Sequence, residues 1–422
     1  MTSARQQEAY ARWLKPSGYL HLMCLLALFP CQGVADDGPN PLNLTVQTSA
    51  PASQPVQSIK EASDPEDVDP SEKSPPNQGL FHYGAYLDLS YPLNFNTSAP
   101  HPWRDKLTTN RLNEFSPNLG MVYFRKDLSE ASRWGVELAG QAGYDTRGEI
   151  PGSSRLAGAE VLQYVSRANV SYLAPIGRGL TITAGLFNSF IGYESFLAKD
   201  NPNYTRSWMS DYSPYFMMGL SAQYPLSDTV GLGFYLLNDW NYLGYVNDQP
   251  KYGTQLTWQL TTQLKWTQNV FFGPEQTNTS LQFWRGFSDT QLQWSDSDYS
   301  LGFAYDVGTE QLASNNLQAF WTGTALFTRW HVAGPWSMAL RPELYWDPNG
   351  AITGHIQFIK AITSTVEYAL PTAPLKSLVR AEYRYDNSTG QQGGFYGSGG
   401  VYGPLVPGQS SIFFALLVSY DK

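Results

Sequence analysis

The sequence predicts an all-β protein, a transmembrane antiparallel up-and-down β-barrel of about 16 strands with short turns at one end and long loops at the other. Three observations carry this prediction. From Gly79 onward, apolar and polar residues alternate with a period of two. The connections between the alternating segments are long, short, long, short in turn. Aromatic residues reach 14% and charged residues only 15%, yet the mean hydropathy is negative. Strands apolar on one side and polar on the other average out this way, whereas a bundle of membrane helices is apolar throughout.

Taken from the N-terminus, residues 1–35 read as a signal peptide. Arg5, Arg12 and Lys15 precede an apolar run from Tyr19 to Phe29, and Gly33-Val34-Ala35 offers small residues for cleavage near Ala35. The run is shorter than the roughly 20 residues a spanning helix needs. Both cysteines, Cys24 and Cys31, lie in this leader, so the cleaved chain would hold no disulfide and no thiolate-bound metal. Residues 36–78 are rich in Pro, Ser and acids, with eight acidic residues against two lysines. That is the composition of a disordered periplasmic tail. The remaining 79–422 carry 22 basic and 27 acidic residues, a near balance that argues against nucleic acid as a partner.

The barrel region divides into sixteen predicted strands, near 80–91, 116–127, 133–145, 160–174, 179–188, 214–225, 229–239, 252–259, 263–274, 281–294, 298–308, 316–331, 336–346, 357–369, 376–386 and 410–421. In the first, Phe81, Tyr83, Ala85, Leu87, Leu89 and Tyr91 share one face. The even connections, such as PIGR and LSD, are turns, and the odd ones are loops. Short turns on the periplasmic side and long loops outside are the pattern of outer-membrane barrels, and closure leaves no strand edge for lipid to solvate. An even strand count puts both termini in the periplasm. The face that meets lipid follows from charge. In 336–346, Trp336, Met338, Leu340, Pro342 and Leu344 oppose Arg341 and Glu343; in 376–386, Val379, Ala381, Tyr383 and Tyr385 oppose Arg380, Glu382, Arg384 and Asp386. Charges facing hydrocarbon are costly, so Arg341, Glu343, Arg380, Glu382, Arg384 and Asp386 are predicted to face the lumen. Two uses are open to them: electrostatic screening of solutes, or ion pairing that stiffens the wall, the plainer of the two. Tyr91, Tyr123, Trp134, Tyr144, Tyr172, Tyr224 and Trp266 near strand ends read as interfacial girdles.

The stretch ANVSYLAPIGRGLTITAGLFNSFIGYESF, followed by NPNYTRS, by FFGPE at 271–275 and by the two late strands RPELYWDPNG and RAEYRYDNSTG, resembles the OmpL-like β-barrel porins, the second β-barrel porin group of Gram-negative bacteria. The resemblance covers most of 79–422 and none of the tail. It implies an outer-membrane porin, a passive diffusion channel for ions and small hydrophilic solutes, without naming a solute. The partners expected of such a barrel are outer-membrane lipid and lipopolysaccharide and the outer-membrane assembly machinery; a homotrimer is one option, and the sequence leaves the oligomeric state open. One departure is the C-terminus, where Asp421-Lys422 follow the last aromatic residue, Tyr420.

The third long connection, over 189–213, is too long and too aromatic for an ordinary hairpin. In porins generally the third loop often folds into the barrel. We expect it to be the pore constriction here, with Glu194, Lys199, Asp200, Arg206 and Asp211 presenting mixed charge and Phe190, Tyr193, Phe196, Tyr204 and Trp208 packing it to the wall. The alternative is a loop lying over the rim. Other roles for the barrel are structural, adhesive or enzymatic. The folded region holds only His82, His101, His331 and His355, in no nucleophile motif and at no metal-ligand spacing, so neither catalysis nor a cofactor is predicted. A secreted soluble β-protein is a further rival, suggested by Asn-x-Ser/Thr triplets such as that at Asn203.

Overall fold

The protein is described here by a computed structural model over residues 81–149, 159–240, 249–276 and 281–422. The leader, its cleavage near Ala35 and the tail over 36–78 lie outside these residues. Sixteen strands form one closed antiparallel barrel. In chain order they are β1 Phe81–Asn94, β2 Ser116–Lys126, β3 Trp134–Ala142, β4 Val165–Ala174, β5 Leu180–Asn188, β6 Phe216–Pro225, β7 Val230–Leu237, β8 Lys251–Gln259, β9 Leu264–Pro274, β10 Trp284–Ser295, β11 Tyr299–Gln311, β12 Gln318–Ala333, β13 Trp336–Asp347, β14 Gln357–Leu370, β15 Lys376–Thr389 and β16 Gly408–Asp421. Each predicted strand is present.

Each strand pairs with its neighbour in sequence, and the seam between β1 and β16 closes the ring from Gly84↔Asp421 to Asn94↔Ser411. Beyond this register the backbones of Tyr83 and Lys422 exchange two hydrogen bonds of 2.9 and 3.0 Å. The residues after Tyr420 thus complete the ladder. The fourth strand begins later than its alternation suggests. Gly140 of β3 pairs with Val165, β3 ends at Ala142, and without a partner Ala159–Tyr164 coil into a 3-10 turn.

Turns at 127–133, 175–179, 226–229, 260–263, 296–298, 334–335 and 371–375 gather at the end that holds both ends of the barrel chain, and the longer connections gather at the other. The outer wall is apolar: Val122, Leu138, Val170 and Phe234 stand exposed on it. In water such a belt would drive aggregation; in lipid it is the required surface. Trp134 opposes Tyr172 across β3 and β4, and Trp258 lies 6.4 Å from Trp266, at the short-turn rim. Tyr123 departs from the predicted girdle. It pairs with Gly84, donates to Asp421 and so belongs to the inner face. Two of the loops contain small hairpins that alternation did not reveal, His101–Pro102 with Arg111–Leu112 and Phe395–Gly397 with Gly400–Val406.

Candidate functional site: a loop folded across the lumen

The connection between β5 and β6, residues 189–215, runs inside the barrel. It enters through Gly192, whose φ of +94° is a conformation that favours glycine, while its amide donates to Asp289 on β10 at 2.8 Å. Aromatic side chains then seat the loop. Phe190 stacks on Tyr235 of β7 at 3.9 Å between ring centroids, and Tyr193 stacks on Phe327 of β12 at 4.2 Å. Two wall glycines make room for them. A Cβ on Gly302 would lie 2.1 Å from the Tyr193 hydroxyl, and one on Gly253 would lie 2.4 Å from the Phe190 ring.

The charged strands β13 and β15 grip the loop's backbone. Arg380 donates to the carbonyls of Ala198, Asn201 and Asn203 at 2.7, 2.9 and 3.2 Å, and pairs with Glu367 of β14 at 2.6 Å. Glu382 accepts the amides of Tyr204 and Thr205 at 2.6 and 3.0 Å. Arg341 pairs with Glu194 of the loop at 2.7 Å and donates to the Thr205 carbonyl at 2.6 Å. Arg384 reaches Glu343 and Asp386, each at 2.9 Å, and donates to the Arg206 carbonyl at 3.0 Å. Glu343 and Asp386 in turn accept the amide and the indole N–H of Trp208 at 2.6 and 2.8 Å. Fixed dipoles and opposite charges thus satisfy groups that would otherwise be stranded away from water, where removing one partner of a buried pair costs roughly 3–5 kcal/mol.

On the far side Tyr204 donates to Asp88 of β1 at 2.8 Å, and Asn118 of β2 donates to the Tyr204 hydroxyl at 2.7 Å. The loop therefore meets the wall from β7 round through the seam to β2. The first loop locks it from outside. Lys106 pairs with Asp211 and donates to the Arg206 carbonyl at 2.8 Å, beneath the rings of Trp103 and Trp208. Thr108 donates to Asp211 at 2.7 Å. Burial lowers the Lys106 pKa despite its partner Asp211.

These contacts sort the five loop residues expected at a constriction. Glu194, Arg206 and Asp211 are buried and engaged. Burial alone would lower the Arg206 pKa, but Asp145, Tyr215 and Asp88 together raise it. Asp145 opens a short helix in the second loop, Asp145–Glu149, and stands 3.7 Å from the Arg206 guanidinium. Burial pushes its pKa up to about 7, against the pull of Arg206. Lys199 and Asp200 differ. They pair with each other at 2.6 Å and keep 28% and 15% of their side chains exposed. The six wall charges point inward and lie under the loop, with Arg341 and Arg384 fully covered. Glu367, Asp88, Lys106 and Asp145 were not singled out by sequence. Their partners lie far away in the chain, and only alternation, which puts Glu367 and Asp88 on the inner face, hinted at two of them.

Residues 81–419 match the family model described as "Putative beta-barrel porin-2, OmpL-like". The chain belongs to that family. This porin is a multi-pass β-barrel of the outer membrane. No curated protein matches its sequence. Among solved structures it is similar to an anion-selective porin from Comamonas acidovorans at 11% identity, covering 81% of this chain and 99% of that one with a TM-score of 0.52. It is also similar to the outer-membrane expressed OmpT of Vibrio cholerae, at 12% identity over 83% and 99% of the two chains with a TM-score of 0.48. At such identities the likeness concerns the porin's barrel fold. Among the described residues no group of three or more His, Cys, Asp or Glu side chains is placed to hold a metal ion.

Proposed function

We propose that this porin is a passive diffusion channel for small hydrophilic solutes and ions in which the loop over 189–215 sets the cross-section. The observation that carries this reading is the clamp on the loop backbone by Arg341, Arg380, Glu382 and Arg384, which holds the loop inside the lumen. Lys199 and Asp200 are the charged loop residues that stay partly exposed, so on this reading they set the ion preference, while Glu194, Arg206 and Asp211 serve to position the loop. The net negative charge of 79–422 supports a weak preference for cations. The same reading has the leader cleaved near Ala35, the chain folded by the assembly machinery, and the barrels grouped as homotrimers among lipopolysaccharide.

The loop's contacts with opposite parts of the wall favour a second reading, a barrel closed at rest. Recording current across a planar bilayer under a salt gradient, for the full chain and for a variant lacking 190–211, separates the two. Stepwise conductance that grows on deletion supports an open channel narrowed by the loop. Silence from the folded full chain, with large conductance only after deletion, supports the closed barrel and overturns passive diffusion at rest.

A further inference from the structure

Lys360 is out of place on this barrel. It lies on β14 at an outward position, opposite Leu344 on β13 and Asn387 on β15, and it is exposed. Between the two rims it is the one charged residue at an outward position of the described strands; Lys126, also outward, sits at the short-turn rim and donates to Ser132. Among the described residues no carboxylate stands within ion-pair distance of Lys360. Its ammonium lies 5.1 Å from the centre of the Phe358 ring, one outward step nearer the long loops. Phe358 pairs with Trp346, whose ring lies 5.9 Å from that of Phe320. The lysine therefore sits just inside the outer aromatic rim and reaches toward the outer surface, as an amine at the edge of hydrocarbon does.

Beside it the wall is hollowed. A shallow, open depression of about 640 Å³ is lined by Phe303, Leu326, Leu344, Ile362 and Tyr385 together with Lys360; Lys360 stands nearer the long loops than Ile362 on the same strand. An apolar trough ending in an unpaired ammonium, at the depth where the outer leaflet's headgroups begin, complements an acyl chain that ends in a phosphate. We propose that this groove is a specific site for lipopolysaccharide, with an acyl chain in the trough and a phosphate of its lipid anchor on Lys360. The charge explains what a purely apolar trough would not: a selection among lipids, and a fixed side of the membrane.

The test uses the full chain extracted from its outer membrane, with native mass spectrometry after stringent detergent washing and with add-back of purified lipopolysaccharide, the same material dephosphorylated, or phosphatidylglycerol. Variants are Lys360→Gln, Lys360→Arg and Thr324→Trp, the last placing bulk in the groove; each is first shown to keep heat-modifiable gel mobility. The expected result is lipopolysaccharide retained by the native protein and by Lys360→Arg, at least tenfold weaker retention by Lys360→Gln and Thr324→Trp, and no binding of the dephosphorylated form. Equal retention by Lys360→Gln overturns the site. Equal binding of phosphatidylglycerol overturns the lipopolysaccharide assignment, and loss of a dimer or trimer mass without loss of lipid shows an interface between copies instead.

Discussion

Replacing Arg380 by Met removes the guanidinium that holds three loop carbonyls and Glu367 while keeping most of the volume. The bonds to Ala198, Asn201 and Asn203 measure 2.7, 2.9 and 3.2 Å and the ion pair 2.6 Å. Hydrogen bonds to charged groups contribute roughly 1.5–3 kcal/mol each, but their plain sum overstates the loss, because water and neighbours take up some of the orphaned groups. The figure for removing one partner of a buried pair, about 3–5 kcal/mol, is the better guide. At about 1.4 kcal/mol per decade, the ratio of docked to undocked loop should fall roughly 100- to 4,000-fold. The barrel itself should persist, since its ladders do not involve this side chain. Single-channel recording of Arg380→Met should show larger or noisier conductance, and trypsin should cut faster at Lys199 and Arg206. Glu367 keeps its second partner, Arg329 at 2.7 Å, so Arg380→Met leaves that carboxylate paired and its effect falls on the loop carbonyls. A folded Arg380→Met barrel with native conductance and native cleavage would refute the clamp.

Other consequences can be read in the same way. Asp145 has its pKa raised to about 7 from 3.8, so the folded state holds the proton more tightly than the unfolded one. Its contribution is therefore most favourable below about pH 4, is lost as pH rises toward 7 at up to about 1.4 kcal/mol per pH unit, and is flat above. Asp145→Asn should flatten that part of the profile of thermal midpoints in detergent, and an unchanged slope would show the carboxyl titrates normally. Gly302→Leu puts a side chain where the Tyr193 ring lies, and should raise conductance without altering gel mobility; native conductance would mean the loop is held without that seat. Lys199→Gln should shift the reversal potential toward cations because this ammonium is partly open to solvent, whereas a potential identical to the native protein would remove Lys199 from the passage.

The barrel was plain in the sequence because its cause is local. Lipid outside and water inside impose a period of two on every strand, and residues such as Trp336, Met338 and Leu340 against Arg341 and Glu343 repeat that cause along the chain. Loop length was equally plain, as 189–213 against turns such as 226–229 shows. What each inward charge touches was not. Arg341 meets Glu194 across 147 positions, and Trp208 meets Asp386 across 178, distances that no spacing rule reaches. The wall charges read as solute screens or wall pairs because alternation reports the face and not what covers it. The seats at Gly253 and Gly302 were hidden for a related reason: a glycine's absent side chain signals room, and the aromatic that fills it belongs to another part of the chain.

Much of the clamp recognises peptide groups. Arg380, Arg384 and Glu382 bind loop carbonyls and amides, and Glu343 binds the Trp208 amide. Every residue type except proline offers both of these atoms, so substitutions at partly exposed positions such as Lys199 leave these bonds in place. The wall thus stores the loop's shape while the loop's open side chains remain free to vary. Descendants of such a barrel can change what they admit, one residue at a time, without having to re-evolve the architecture that holds the filter in place.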